Sequence, residues 1–258
     1  MSIIPSTKYI KCSFEPDANR LSDFPLSEIE VFYGITKELY SKRPDLKNYI
    51  SKDEKLRADK FHYSEDRDTY ISTHGLLRLI LSKKLRKKPL EVVIHNDKNN
   101  KPGLVGNPLY FNITHIRDAF AFIISKYFYA GIDMENADRS IDLMSVINSY
   151  FSIDECNYIL KSEPNLQENF SLLWTRKEAL LKAIGTGIIN NLTQIEVHED
   201  ENIINKKSFE NKLCEPVYNA HFIYSEKVLD YYISIAIPDK VDINLYQINS
   251  DNIISYLD

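Results

Sequence analysis

The 258-residue sequence has few cysteines, and this scarcity bears on where the protein works. Cys12, Cys156 and Cys214 are odd in number and far apart along the chain. Small disulfide-stabilised secreted domains carry an even set of closely spaced cysteines, so the pattern argues against a disulfide framework. We therefore expect a reducing compartment and predict a cytoplasmic protein.

Long apolar runs and an excess of basic residues are also missing. No stretch approaches the roughly 18 consecutive apolar residues of a membrane-spanning helix, so we predict no membrane segment. The first residues, MSIIPSTKYIKCSF, lack a basic region followed by an apolar stretch, which argues against a signal peptide. The net charge of −5 gives no indication of nucleic-acid binding, and we predict none.

An internal repeat is the first positive feature of the chain. Residues 50–54, ISKDE, and residues 151–155, FSIDE, both read apolar residue, Ser, any residue, Asp, Glu. Such a pattern typically begins a helix, because the hydroxyl caps free N–H groups and the carboxylates suit the positive helix end. The same signal in two places indicates that each half of the chain starts a similar arrangement.

A second helical pattern and a predicted hairpin follow each of these starts. The helical patterns are YISTHGLLRLILSKKL and FSLLWTRKEALLKAIG, the second ending at Gly185. The predicted hairpins are LYFNITH with AFAFIIS, and AHFIY with YYISIAI, the latter pair joined by residues 225–230. One more strand, IEVFYGI, is predicted ahead of the first copy at residues 29–35.

These elements together predict an α+β fold made of two similar helix–helix–hairpin halves. We expect an N-terminal half at residues 1–130 and a C-terminal half at residues 131–258, related by a pseudo-two-fold axis with a site in the cleft between them. The alternative is that the order of helix and hairpin recurs by chance. The halves differ in one helix, where the second copy has Glu178 in place of Leu77.

Acidic side chains of the second half are the candidate functional residues. Asp133 and Glu135 lie two apart on a predicted strand and therefore point to the same side. Glu178 and Lys182 share a helix face, and taken alone they could be a surface ion pair. Three carboxylates with Lys182 and the nearby Lys177 suit a hard divalent cation that carries phosphate oxygens. We predict that Asp133, Glu135 and Glu178 bind Mg²⁺, with Mn²⁺ as the alternative ion.

Four segments of the sequence resemble one known family. GIDMEN matches the G-[IV]-D-x-E motif of the 4′-phosphopantetheinyl transferases, and WTRKEALLK matches their W-[ST]-x-K-E-A-x-x-K motif. NKPGLVGNPLYFNITH resembles the family's G-K-P … F-N-[IL]-S-H segment. ISKDEKLRADKFHYSEDRDTYISTHGLLR resembles the N-terminal helical segment of the larger, surfactin-synthetase-activating type. The resemblance runs in order from about residue 50 to residue 186, and that larger type is a monomer of two similar halves.

The resemblance implies a reaction and a role for individual residues. The family transfers the phosphopantetheine arm of coenzyme A to a serine of an apo acyl or peptidyl carrier protein and releases 3′,5′-ADP. The residues expected to bind coenzyme A are Arg57, Lys60, Lys101, Thr114, His115 and Lys182. A basic position of the family is Glu54 here, which departs from the family pattern of phosphate ligands.

The residue that accepts the proton of the carrier serine stays open between two glutamates. Glu178 and Glu155 are the candidates, a metal-bound water is the alternative to them, and Lys182 would contact the phosphates during transfer. For Glu155 the alternative is simple helix capping. A non-catalytic carrier-protein or nucleotide-binding module and a Mg²⁺-dependent phosphodiesterase are the alternative functions, and the sequence does not specify the carrier protein.

Overall fold

A computed structural model describes most of the two predicted halves. It covers residues 10–11, 29–97, 99, 101–106, 109–127, 129–137, 143–161, 164–185, 192–198, 201–203 and 220–253. Cys12 and Cys214 lie outside these residues, and Cys156 is half-buried with a free thiol. Within the described residues, no helix has both the length and the apolar character that crossing a bilayer requires.

The helices and strands follow one another in an order that repeats. In chain order they are β1 (Ile10–Lys11), β2 (Ile29–Ile35), α1 (Thr36–Lys42), α2 (Lys52–Ala58), α3 (Ser64–Leu85), β3 (Ile94–Asn96), β4 (Pro102–Leu104), β5 (Tyr110–His115), β6 (Ala119–Ser125), β7 (Gly131–Asn136), α4 (Leu143–Tyr150), α5 (Ile153–Leu160), α6 (Leu166–Ile184), β8 (Glu201–Ile203), β9 (Ala220–Val228), β10 (Tyr231–Ile237) and β11 (Ile243–Gln247).

Two compact units divide the chain. The N-terminal unit comprises residues 11–97, 102–126 and 242–258, and the C-terminal unit comprises residues 1–10, 98–101 and 127–241. The predicted halves met at residue 130, close to the observed change of unit after residue 126. The assignment of residues 242–258 to the C-terminal half was wrong, because β11 pairs in parallel with β2 and thereby joins the N-terminal unit.

The N-terminal unit is built on a five-stranded sheet with the order β1-β11-β2-β6-β5. β2 runs antiparallel to β6, which forms the predicted hairpin with β5. Every residue of β6 is buried, so both faces of this central strand are covered. The long helix α3 packs on the sheet and contributes much of one continuous apolar core together with β2 and β6.

The C-terminal unit repeats this topology with a four-stranded sheet in the order β7-β10-β9-β8. β7 runs antiparallel to β10, which forms a hairpin with β9, as β2 does with β6 and β5. The helix α6 packs against β7 and β10. The hairpin is tighter than predicted, because β9 continues through Val228 and only two residues, Leu229 and Asp230, form the turn.

The two predicted helix starts have the same local structure. Ser51 caps α2 and Ser152 caps α5, and in each case the glutamate three positions later binds the backbone N–H of the serine in return. The serines are 101 positions apart, as are the partner glutamates Glu54 and Glu155. Because helix starts and strand order both recur, the sequence repeat corresponds to a repeat of supersecondary structure.

Candidate active site

The backbones of α6 and β7 come very close together at Gly131. A Cβ atom at this position would lie 2.2 Å from the carbonyl oxygen of Ala179 and 2.3 Å from the backbone nitrogen of Ala183. Only glycine permits such a contact between a strand and a helix backbone. The glycine of the GIDMEN motif therefore brings α6 directly onto the start of β7.

The acidic positions of β7 lie on the face that this helix covers. Asp133 and Glu135 are two and four residues after Gly131, so all three share one side of the strand. Asp133 is opposite Ser234 of β10, and the Ser234 hydroxyl is hydrogen-bonded to the Thr175 hydroxyl of α6 at 2.7 Å. The helix thus lies over Asp133 as well as over Gly131.

A positively charged side chain of α6 contacts Asp133 directly. The Lys182 ammonium donates a hydrogen bond to Oδ1 of Asp133 at 2.6 Å. The carboxylate is almost buried, with 5% of Asp133 exposed, while 29% of the Lys182 side chain is exposed. Burial of the carboxylate strengthens this charge pair, because little water screens it. The partial exposure of Lys182 leaves its ammonium within reach of a ligand.

Glu178 lies between the two helix residues that contact this face. Thr175, Glu178 and Lys182 are three and four residues apart and form a single stripe along α6. Since Thr175 and Lys182 both contact residues of the sheet face, Glu178 is on the side of the helix that faces Asp133. The sequence motif WTRKEALLK therefore places its acid and its last lysine over the acids of β7.

The donor set fits a hard cation in chemical type. Asp133, Glu135 and Glu178 provide carboxylate oxygens from two facing elements, and oxygen is the ligand that Mg²⁺ prefers. In the described part of the chain, no three His, Cys, Asp or Glu side chains already form a metal-binding group. The assignment of these residues to Mg²⁺ therefore stays a prediction, and Lys182 is the positive charge that the structure shows beside Asp133.

Glu155 has a structural role that argues against proton transfer. Its side chain is fully buried, and Oε2 accepts a hydrogen bond from the Ser152 backbone at 3.0 Å. Oε2 also pairs with Lys177 at 2.8 Å, and Oε1 accepts from the Val197 backbone at 2.8 Å. With both oxygens held and no surface exposed, Glu155 caps α5, as the alternative interpretation had it, and cannot meet a substrate as the base.

Lys177 was expected near phosphate, and this expectation was wrong. Its side chain is fully buried, and its ammonium donates to the carbonyl oxygens of Leu192, at 2.9 Å, and Ile195. Burial lowers the pKa of Lys177, and Glu155 opposes that shift. This role could not be predicted from local sequence, because the partners of Lys177 come from the segment after α6.

Lys101 lies at the C-terminal end of α6. Its ammonium donates to the carbonyl oxygen of Ala183 at 3.1 Å, and the Asn99 amide donates to the carbonyl oxygen of Gly185 at 2.9 Å. Cationic and amide donors suit the free carbonyl groups of a helix end. The Lys101 ammonium therefore contacts α6 at Ala183, the residue after Lys182. Lys101 belongs to the C-terminal unit, as Lys182 does.

The other residues predicted for coenzyme A lie in the N-terminal unit, where two of them meet at Tyr70. The Arg57 guanidinium carbon is 6.0 Å from the centre of the Tyr70 ring, and the His115 ring meets that ring edge-on at 6.4 Å. Thr114 is buried on β5, and Lys60 is exposed just after α2. Sequence reasoning missed Tyr70, which no motif singled out.

Glu54, which replaces a basic residue of the family pattern, binds two basic side chains of its own unit. Its carboxylate contacts Arg78 at 2.7 Å and His74 at 3.1 Å. Burial raises the pKa of Glu54, but the hydrogen bonds from His74, Arg78 and the Ser51 backbone outweigh it and lower the pKa to about 2. Glu54 is thus a charged structural residue and not a ligand for phosphate.

A cavity of about 540 Å³ opens in the C-terminal unit at the end of β7. Its lining is Asn136, Ala137, Pro164, Asn165, Gln167, Glu168, Lys227 and Asp230. Glu168 accepts a hydrogen bond from Lys227 at 2.5 Å and from the Tyr232 hydroxyl at 3.4 Å. Burial, with help from Glu168, raises the pKa of Tyr232 to about 12. Three separate segments form this cavity, so sequence motifs gave no indication of it.

Known proteins share the segment that carries Asp133, Glu178 and Lys182. A family model described as the 4′-phosphopantetheinyl transferase superfamily matches residues 129–236. The 4′-phosphopantetheinyl transferase HetI of Nostoc sp. is 33% identical over 188 residues, which are 70% of this chain and 77% of HetI. The chain belongs to the 4′-phosphopantetheinyl transferase superfamily.

Other members of the superfamily match shorter parts of the chain. The 4′-phosphopantetheinyl transferase psf-1 of Bacillus pumilus is 27% identical over 158 residues, 60% of this chain and 66% of psf-1. The 4′-phosphopantetheinyl transferase AcpT of Escherichia coli K12 is 29% identical over 120 residues, 46% of this chain and 58% of AcpT. Membership confirms the family resemblance and the α+β fold, while the roles of individual residues stay predictions.

Proposed function

We propose that this superfamily member transfers the 4′-phosphopantetheine arm of coenzyme A to a serine of an apo carrier protein and releases 3′,5′-ADP. The observation that carries the proposal is the contact between Lys182 and Asp133 under the same helix stripe that bears Glu178. This arrangement lies inside the segment that the superfamily model matches. HetI, psf-1 and AcpT are named as transferases of this kind, which supports the same activity here.

The reaction exchanges the phosphoanhydride bond of the coenzyme A diphosphate for a phosphodiester bond on the carrier serine. The serine oxygen forms a bond to the phosphorus that bears pantetheine, and the bond from that phosphorus to the oxygen of 3′,5′-ADP breaks. The bonding electrons leave with 3′,5′-ADP, which takes up negative charge. Fixed positive charge close to the reacting phosphates therefore stabilises the transition state.

Lys182 and Glu178 take the two main protein roles in this proposal. The Lys182 ammonium, held in place by Asp133 and partly exposed, binds phosphate oxygens and offsets the developing charge. Glu178 accepts the proton of the serine hydroxyl, since Glu155 is buried and fully bonded. A carboxylate near the reacting oxygen makes a serine a competent nucleophile.

Asp133, Glu135 and Glu178 are the residues that would hold Mg²⁺, or Mn²⁺ in its place. When bound, such an ion supplies additional positive charge for the diphosphate of coenzyme A. Direct titration of the ion by calorimetry tests this assignment. Tight binding to the unaltered protein and its loss in Glu135→Gln is the expected result, and unchanged affinity in that variant contradicts the ligand set.

The remaining predicted residues are proposed to bind the adenosine end of coenzyme A. Arg57 and His115 would contact the 3′-phosphate, because both border the ring of Tyr70. Lys60, Lys101 and Thr114 complete the proposed set. The monomeric state, the cytoplasmic location and the absence of nucleic-acid binding stay predictions from the sequence.

Mass spectrometry of an apo carrier protein incubated with coenzyme A and Mg²⁺ tests the function. A mass gain of one phosphopantetheine arm on the carrier supports transfer. Hydrolysis of coenzyme A without a carrier would instead identify a phosphodiesterase, and binding without any product would identify a non-catalytic module. Apo acyl carrier protein and apo peptidyl carrier protein, assayed side by side, establish which class of carrier is served.

A further inference from the structure

Tyr70 is an enclosed aromatic ring beside two of the residues proposed to bind coenzyme A, Arg57 and His115. Only 4% of it is exposed, and the His74 ring stacks on it at 4.0 Å with an angle of 28° between the planes. His74 is in turn held by Glu54, whose carboxylate oxygen lies 3.1 Å from Nδ1. One face of the tyrosine is therefore fixed by a ring that cannot turn freely.

The surroundings of Tyr70 continue with the two predicted phosphate ligands. Arg57 is exposed, and its guanidinium carbon is 6.0 Å from the ring centre. His115, also exposed, meets the ring edge-on at 6.4 Å. The hydroxyl of Thr69 donates to the carbonyl oxygen of Arg117 at 2.7 Å, which ties α3 to the turn just after β5. That bond keeps Tyr70 and His115 next to each other.

The contact with Tyr70 matters most for the arginine. An exposed arginine side chain loses substantial rotamer entropy when a ligand fixes it. A guanidinium near an aromatic face is attracted by the ring quadrupole, at a distance of up to about 6 Å. The ring therefore restricts Arg57 before any ligand arrives and reduces the entropy lost on binding.

We propose that Tyr70 is a positioning residue that holds Arg57 and His115 for the terminal phosphate monoester of the substrate, and so determines the preference for coenzyme A over 3′-dephospho-coenzyme A. The inference rests on the proposed function, because that function supplies the substrate. Tyr70 acts through its neighbours and does not take part in the reaction itself. Its neutral hydroxyl suits this role, since burial raises its pKa to about 12.

Steady-state kinetics with the two forms of the coenzyme test the proposal. Tyr70→Leu and Tyr70→Met should raise KM for coenzyme A by about fivefold, the upper worth of a cation–π contact at an exposed site, with kcat unchanged. KM for 3′-dephospho-coenzyme A should stay within about twofold of the unaltered enzyme, because this substrate lacks the phosphate. Tyr70→Phe retains the ring and should behave like the unaltered enzyme.

The matched control is a second tyrosine that lies under an arginine in the same unit. Tyr63 is exposed, and the Arg117 guanidinium carbon is 5.7 Å from its ring centre. Tyr63→Leu removes the same kind of contact from an arginine that is not a predicted phosphate ligand, and should leave both KM values unchanged. A change of selectivity in Tyr63→Leu would overturn the assignment to Tyr70.

A double-mutant cycle shows whether Tyr70 acts through Arg57. In an Arg57→Ala background, which alters only an exposed side chain, Tyr70→Met should raise KM for coenzyme A by less than about threefold. Fully additive effects, or equal changes of KM for both substrates, would overturn the inference. Circular dichroism and thermal melting identify a variant that fails to fold. Because leucine and methionine are similar in volume, whichever of the two Tyr70 variants keeps its fold carries the test.

The proposal for Tyr70 can be tested even if the proposed transferase function proves wrong. If the unaltered protein transfers no phosphopantetheine, the proposed function fails. Calorimetric binding of 3′,5′-ADP and of 5′-AMP then tests Tyr70 alone. A preference for 3′,5′-ADP that is lost in Tyr70→Met supports the inference, and an unchanged preference overturns it.

Discussion

The two units of this superfamily member share a topology and differ in what lies under the long helix. With the 101-residue spacing of the capping serines, Asp133, Glu178 and Lys182 correspond to Phe32, Leu77 and Leu81. All three N-terminal counterparts are buried, with at most 1% of each exposed, and belong to one apolar core. The same framework therefore supports an apolar interior in one copy and a charged site in the other.

The helix-to-strand contact differs in the same way. Gly131 corresponds to Glu30, which is buried and forms an ion pair with Lys84 near the end of α3. The N-terminal unit accommodates a charged pair where the C-terminal unit brings two backbones together. A duplicated fold can thus specialise through a few positions, because most side chains that maintain the strand order are unaffected.

The largest effect is expected from removing the charge of Asp133. Asp133→Asn leaves Lys182 without its anionic partner and removes a proposed metal ligand, so the transfer rate should fall by at least about 100-fold. The rate is measured by mass spectrometry of the carrier protein, with Asp154→Asn, an exposed acid of the same unit, as the control. At the corresponding position, Phe32→Leu should reduce stability and leave the rate unchanged. A near-normal rate in Asp133→Asn would falsify the assignment of the site.

The two capping glutamates provide the second test. Glu155→Gln breaks a fully buried pair with Lys177 and should lower the free energy of unfolding by about 3–5 kcal/mol. Glu54→Gln, at the corresponding position, should cost less because Glu54 is only partly buried. Urea unfolding measures both changes. If folded Glu155→Gln lost the transfer activity without losing stability, Glu155 would be the base after all.

Gly131→Ala tests the close contact of helix and strand. The added Cβ meets the backbone of α6 at 2.2 Å, so the helix has to shift and unfolding should become easier by about 1–3 kcal/mol. The transfer rate should fall as well, because the shift moves Lys182 away from Asp133. Gly103→Ala is the control, since the nearest atom there, on His95, would be 3.7 Å away. Equal stability of the two variants contradicts the packing described for α6.

The smallest effect concerns the response of the N-terminal unit to acid. In the folded protein the pKa of Glu54 is lowered to about 2, from an ordinary value of 4.5 for this side chain. The group with the lowered pKa stabilises the fold above pH 4.5, and this contribution is lost as the pH falls from 4.5 towards 2. The free energies of unfolding of the unaltered protein and of Glu54→Gln, measured with urea, should therefore become equal as the pH falls through this range. A difference in the free energy of unfolding that does not change with pH would show that the charge of Glu54 does not stabilise the fold.

Local signals in the sequence predicted most of the elements. Ser51 and Ser152 begin helices, and Gly185 ends α6 with a positive φ of 78°, because capping depends on residues close in the chain. Alternation of apolar residues also located β7 and the hairpin strands. The charged face of β7 followed from strand geometry alone.

Features that depend on distant residues were not predictable in this way. From the sequence Lys177 was predicted to be available for phosphate, whereas in the structure its ammonium binds the segment after α6. The proposed role of Tyr70 depends on its contacts with Arg57, 13 positions before it, and His115, 45 positions after it. The parallel pairing of β11 with β2 joins residues more than 200 positions apart, and no local pattern indicates a partner at that distance.

That return of β11 has a consequence for how the protein is made. During synthesis β2, β6 and β5 leave the ribosome long before residues 243–247, so one edge of β2 waits without its neighbour. An uncovered strand edge attracts other extended chains. The N-terminal unit can complete its sheet only after residues 127–241 of the C-terminal unit have been translated, so the pairing of β11 couples completion of the first unit to synthesis of the second.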